Sequence, residues 1–228
     1  MGHLVVENLT KIYHNMSGHP ALTVFEDVSF TVEPGEFVTV IGHSGCGKST
    51  LLNVIAGLEH PTRGRVVLDG REVRAPGLDR MVVFQSFALM PWLTVFENVK
   101  LAVEAAHPRW SRREVERAVF HHLDQVGLRG VEQKKPSALS GGMRQRVGLA
   151  RAFAVGPRVL LLDEPFAQID ALTRWAIQEQ LLALWSASGA TVFMVTHDVD
   201  EAILLSDRVL LMTPGPAARI AESVEIGI

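Results

Sequence analysis

The sequence predicts an α/β chain built around a mainly parallel sheet, with a helical subdomain inserted into it. Three observations carry that prediction. Short continuous apolar runs over 37–41, 159–162 and 191–195 read as strands covered on both faces. Between the last two, Ala171–Ser188 reads as a helix started by Asp170 and closed by Gly189. Strands and helices alternating in this way imply right-handed crossovers and parallel neighbours. Over 93–154 the patterning turns helical with loops, which marks the insertion.

Taken in order, residues 1–90 read mostly as strands, at 4–7, 28–32, 36–41, 66–68 and 81–84. The turns between them carry Pro34-Gly35, the stretch 61–64 and Asp69-Gly70. A helix over 51–56 interrupts the series. In the middle block, Ser111-Arg112-Arg113-Glu114 forms a capping box. Val115, Ala118, Val119, His122 and Val126 follow at helical spacing, with Gly127 or Gly130 as the stop. His121 and His122 are adjacent and so diverge by about 100° on a helix, which prevents joint chelation. The single domain therefore divides into 1–90 with 155–228, a core, and 91–154, the helical insertion.

Composition narrows the function classes. A net charge of −3 with interspersed signs argues against a surface that coats nucleic acid. No apolar run is long enough to span a bilayer, and the N-terminus lacks the features of a secretory signal. The single cysteine, Cys46, forbids an internal disulfide and fits a reducing cytosol. It reads as a small residue tolerated in its loop more readily than as a redox sensor.

The most informative stretch is Gly42-His43-Ser44-Gly45-Cys46-Gly47-Lys48-Ser49-Thr50. It fits G-x-x-x-x-G-K-[ST] between a strand and a helix. Glycines let the backbone turn its N–H groups inward on a phosphate chain, and the helix start adds partial positive charge. Lys48 reaches the outer phosphates and Ser49 serves Mg²⁺. A second signal is the run 159–162 ending in Asp163-Glu164, two carboxylates at the sheet edge where ligands sit. Asp163 would orient Mg²⁺ and Glu164 would polarise the attacking water. A third is Leu139-Ser140-Gly141-Gly142, where Ser140 caps a helix and two glycines leave its first N–H groups bare. One triphosphate has no use for two separate helix-start sites in one chain, so each nucleotide is expected between two subunits placed head to tail.

These three motifs, in this order, resemble the ATP-binding subunit of an ABC transporter over nearly the whole chain. The resemblance implies an ABC-type P-loop ATPase with an antiparallel β subdomain, using ATP and Mg²⁺. It implies that Tyr13 stacks on adenine, with a half-buried strand tyrosine as the alternative. It implies that Gln85 contacts Mg²⁺ or the attacking water, that His197 is the switch histidine near the γ-phosphate, and that Asp170 reaches across the dimer. Lys48, Gln85, Glu164 and His197 would be the catalytic set, and Ser49, Gln85 and Asp163 the metal set. Met143 departs from the usual glutamine of the signature, and Ala167-Gln168-Ile169-Asp170 from the usual aspartate loop. The implied partners are a second ATPase subunit, identical or not, separate membrane permease subunits and, indirectly, a periplasmic or extracellular binding protein. The implied place is the cytoplasmic face of the membrane.

The loop Gly42 to Gly47, the stretches 79–85, 89–95 and 163–166, and above all 213–220 resemble the nitrate, sulfonate and taurine import group, nearest its nitrate and bicarbonate branch. The expected cargo is thus a small anion, nitrate-like first, with sulfonate, taurine or bicarbonate as the alternatives. Phe87, Leu89, Met90, Pro91 and Trp92 are either a groove for a short helix of a membrane subunit or a subdomain core. A soluble ABC ATPase of ribosomes or DNA is disfavoured by the single cassette and the absence of heptads or a basic stripe. A dead, binding-only subunit is disfavoured by Glu164 and His197, and a small-molecule kinase leaves 139–146 unexplained. The chain stops at Ile228, soon after its last predicted strand, so no C-terminal regulatory domain is expected.

Overall fold

A computed structural model describes residues 3–14 and 21–227. Met1, Gly2 and Ile228, on which the readings of the two chain ends partly rest, lie outside the described residues. In chain order the strands are β1 (Leu4–Tyr13), β2 (Leu22–Val32), β3 (Phe37–Ile41), β4 (Arg63–Leu68), β5 (Arg71–Glu72), β6 (Arg80–Val83), β7 (Val159–Asp163), β8 (Thr191–Thr196), β9 (Arg208–Met212) and β10 (Ile220–Glu225). The helices are α1 (Lys48–Ala56), α2 (Val95–Ala106), α3 (Arg112–Gln125), α4 (Gly141–Ala154), α5 (Ala171–Ser188) and α6 (Val199–Leu205).

Among the described residues the strands form two sheets. One is antiparallel, in the order β2-β1-β4-β5; the other runs β10-β9-β3-β8-β7-β6. Strands β9, β3, β8, β7 and β6 are parallel, and only β10 runs against its neighbour. The central strands alternate between two cores. Leu160, Leu162, Val192 and Met194 face one with α4 and α5; Val159, Leu161, Phe193 and Val195 face the other with α1 and the antiparallel sheet. This is why their sequences are apolar throughout rather than alternating. Phe30 of β2 stacks on Phe193 of β8 at 5.5 Å, and residue pair Phe25–Ala218 bridges the sheets.

Sequence expectations need adjustment at several edges. Strand β2 starts at Leu22 rather than 28, and β4 at Arg63 rather than 66. In both, polar residues sit where pairing to β1 continues through register irregularities, and Asp27 takes a left-handed φ of 53°. Helix α1 begins at Lys48, three residues before the apolar run, because Gly47 at φ 102° turns the chain directly into it. Burying Leu51, Leu52 and Ile55 there contributes about 1.5–3 kcal/mol each. Helix α2 carries a second capping box, Thr94 with Glu97. Helix α3 starts at the Ser111–Glu114 box and stops before Gly127, which adopts φ 65°. Its buried stripe is Val115, Val119 and Leu123; Val126 is the C-cap and His121 is exposed.

Candidate functional site

The loop 42–47 leaves the C-terminal end of β3 and closes around its own backbone. A Cβ on Gly42 would stand 2.9 Å from the Met212 carbonyl oxygen, and one on Gly47 2.5 Å from Val24 Cγ1. Larger residues are thus excluded by β9 and β2, not only by the turn itself. Lys48 is 5% exposed, and its Nζ donates to the carbonyls of Gly42 at 2.8 Å and His43 at 3.1 Å. Those bonds hold the ammonium at the centre of the loop. Cys46 is 1% exposed and packs in the second core, which answers for it as a packing residue.

Beside the loop lies a cavity of about 490 Å³ lined by Tyr13, Leu22, Val24, Ser44, Gly45, Gly47, Lys48, Ser49, Thr50, Gln85 and Glu164. Ser49 Oγ donates to Asp163 Oδ1 at 2.8 Å. Burial, first of all, pushes the Asp163 carboxyl up from the usual carboxylate range, and the Glu164 charge adds to it; the Ser49 bond and Lys48 act the other way. A half-buried carboxylate bonded to a hydroxyl is a hard-oxygen pair suited to Mg²⁺. No cluster of three His, Cys, Asp or Glu capable of holding a metal alone occurs among the described residues.

Glu164 sits at φ 42°, a backbone setting uncommon for a residue with a side chain. Its N–H donates to the Val195 carbonyl of β8 at 2.9 Å, which pins this turn across the sheet edge. Two neighbours converge on its Oε2: Gln85 Nε2 donates at 3.4 Å, and His197 Nδ1 lies 3.2 Å away. Residues just past the C-terminal ends of β6, β7 and β8, distant in sequence, therefore meet at one oxygen. Tyr13 is 42% exposed at the cavity rim. Its hydroxyl donates to Glu59 Oε2 at 2.6 Å, and Lys11 Nζ lies 4.9 Å above its ring. Partial burial and the Glu59 bond hold its ionisation above the ordinary phenol range.

The other predicted phosphate grip is elsewhere. Ser140 is exposed and caps α4 by accepting from the Met143 N–H at 3.2 Å. Neither it, Gly141, Gly142 nor Asp170 lines the cavity. The glycines have a packing reason as well: a Cβ on Gly142 would meet Thr173 Cγ2 at 2.3 Å, and one on Gly141 the Gln168 carbonyl oxygen at 3.0 Å. Asp170 caps α5 through Thr173 N–H at 3.0 Å, and that backbone bond holds its carboxyl below the usual range.

The model of the ABC transporter family matches residues 25–167. The chain belongs to that family. Among relatives of this cassette, a bicarbonate transport ATP-binding protein CmpD from Synechococcus elongatus is 51% identical over 98% of the chain and 80% of its own length. A nitrate import ATP-binding protein NrtD from the same organism is 54% identical over 88% of the chain and 73% of its length. The fold matches the dimeric ATP-binding cassette MJ0796 bound to ADP and Pi, with a TM-score of 0.86, 32% identity and 99% of both chains covered. The cassette is thus an ABC-type ATPase. Sequence reasoning missed Glu59, bonded to Tyr13, Arg151, which donates to the Ala88 carbonyl at 2.8 Å, and Arg174, which donates to Asp198; their partners lie far away in sequence or on other elements. The apolar cluster after Gln85 divides: Phe87 is buried in the core, whereas Trp92 is 66% exposed.

Proposed function

We propose that two cassettes clasp two ATP molecules, each held between the 42–50 loop of one copy and the Ser140–Gly142 helix start of the other. The observation that carries this reading is the separation of the two phosphate grips. Each is a helix start able to hold an anion, yet only one borders the cavity of its own chain. Lys48 and the loop N–H groups bind the phosphates. Ser49 and Asp163 would hold Mg²⁺, which when bound offsets charge on the phosphate oxygens. Glu164 accepts a proton from water as that water attacks the γ-phosphorus. Gln85 and His197 orient Glu164 and the water, and the γ-phosphoryl leaves ADP as inorganic phosphate. Positioning and charge stabilisation supply most of the acceleration.

Closure of the pair drives separate permease subunits, and Tyr13 stacks on adenine. Exposed Trp92 offers an apolar contact for a permease segment. No helix among the described residues is long and apolar enough to cross a membrane. Membership of the ABC transporter family supports a peripheral place, at the cytoplasmic face. The names of its relatives support nitrate or bicarbonate import as the transport served. Glu164→Gln tests the central claim. It is expected to keep ATP binding, lose roughly 100-fold or more in phosphate release, and elute as a dimer with ATP and Mg²⁺ on size exclusion. A monomer with full turnover refutes the assignment.

A further inference from the structure

Arg174 lies in the first turn of α5, four residues past Asp170, and none of the nucleotide motifs accounts for it. Its guanidinium is only 31% exposed and faces three groups. Nη2 donates to the Ile169 carbonyl at 3.3 Å, inside the turn that follows Glu164. Nη1 donates to Asp198 Oδ2 at 3.3 Å and lies 3.7 Å from Glu201 Oε1. Asp198 is the residue after His197 and the N-cap of α6, its Oδ1 accepting from the N–H groups of Asp200 and Glu201. Glu201 is buried, and its other oxygen accepts from Thr196 Oγ1 at 2.8 Å, on the residue before His197. Thr196 Oγ1 in turn accepts from the Asp198 N–H at 3.1 Å. His197 therefore stands in a three-residue segment whose two flanks are both tied into one network, and Arg174 is the link from that network to the 164–170 turn.

The 164–170 turn is fixed at its other end by the Glu164 N–H bond to Val195 and internally by Ala167 N–H to Glu164 and Ile169 N–H to Phe166. The guanidinium meets the carbonyl through one nitrogen and the two carboxylates through another, in a fixed planar fork; an ammonium has three donors, but they radiate from a single nitrogen and cannot reproduce that spread. Glu201 is buried beside Asp198, and among the described residues Arg174 is the one Lys or Arg that forms an ion pair with either carboxylate.

We propose that Arg174 is a positioning residue for ATP hydrolysis: it keeps His197 in register with the turn bearing Glu164 and Asp170, so that a shift of that turn is passed to the histidine. The inference rests on the reading of Glu164 and His197 given above. A displacement of about 1 Å at a reacting group can cost up to 100-fold in rate, so the link is expected to act on turnover rather than on binding.

The test is a double-mutant cycle read by phosphate release, at saturating ATP and as a function of ATP. Arg174→Met, which keeps the aliphatic stem, is expected to lower kcat about 10-fold while KM moves less than about 2-fold. Placed on His197→Ala, the same change is expected to cost less than about 2-fold more, because its route of action is already gone. Arg174→Lys is expected to restore little of the rate. Asp198→Asn, which retains the N-cap without the charge, attacks the same link from its other end and is expected to give the same split. Equal factors in both backgrounds, a parallel rise in KM, or full rescue by lysine would each overturn the proposal while leaving the ATPase assignment intact. A wild-type cassette that releases no phosphate removes the reading beneath it.

Discussion

The two helix starts proposed to grip phosphate in this cassette share one principle and differ in everything that surrounds it. Both are helix starts with glycines and a cluster of free N–H groups. At α1 the fold finishes the job: Lys48 is buried and doubly bonded, Gly47 is wedged against Val24, and the helix behind is anchored by Leu51 and Leu52. At α4 the cap residue Ser140 is exposed and its hydroxyl already serves Met143. What lies tight against that helix is α5, not a cavity wall. One grip is assembled by its own chain; in the proposed clasp the other is prepared by its chain and completed by a partner.

Substitutions sharpen this contrast, beginning with the largest effect. Lys48→Ala removes a charged donor from a built site and is expected to weaken ATP binding by about 1.5–3 kcal/mol, some 10- to 100-fold. Calorimetric titration measures it, and an unchanged affinity breaks the asymmetry at its stronger side. Gly142→Ala forces a Cβ to within 2.3 Å of Thr173 Cγ2. Overpacking of that kind costs about 1–3 kcal/mol and should lower Tm by several degrees. The affinity of the monomer for ATP should stay as it was, since this helix does not border its cavity; a binding loss as large as that of Lys48→Ala would merge the two grips into one. Tyr13→Ala is expected to cost about 1 kcal/mol in ATP affinity, while Tyr13→Phe, which loses the hydroxyl's interactions with Glu59 and Thr50 but keeps the ring, should cost less than half of that. If the phenylalanine variant loses as much as alanine, the hydroxyl rather than the ring does the work.

The parts of this molecule that were legible in the sequence are those whose physics is local. The 42–50 loop is contiguous, the strand before it is uniformly apolar, and Ser140, Asp170 and Ser111 announce their helices through side chains that bond two or three residues on. Helix α2 was equally announced by Thr94 and Glu97, and its box passed unread among the surrounding apolar residues. Strand β10 carries almost no core signal, because nearly every residue in it is exposed and only pairing with β9 defines it. The meeting of Gln85, Glu164 and His197 could be expected only from the resemblance, since three separate strands bring them together. Tyr13 with Glu59 and Arg174 with Asp198 and Glu201 had no such help. Nothing in composition or spacing marks two side chains as neighbours when a sheet or a helix pair decides it.

Cys46 has a practical corollary. It is the sole thiol in the sequence, and the native fold turns it from the loop before α1 into the core, where it is sealed from solvent. Alkylating reagents and maleimide dyes should therefore find nothing to modify until the chain unfolds. An engineered cysteine at any solvent-facing position would be the one addressable handle, available for spin labels or fluorophores without first erasing the native residue.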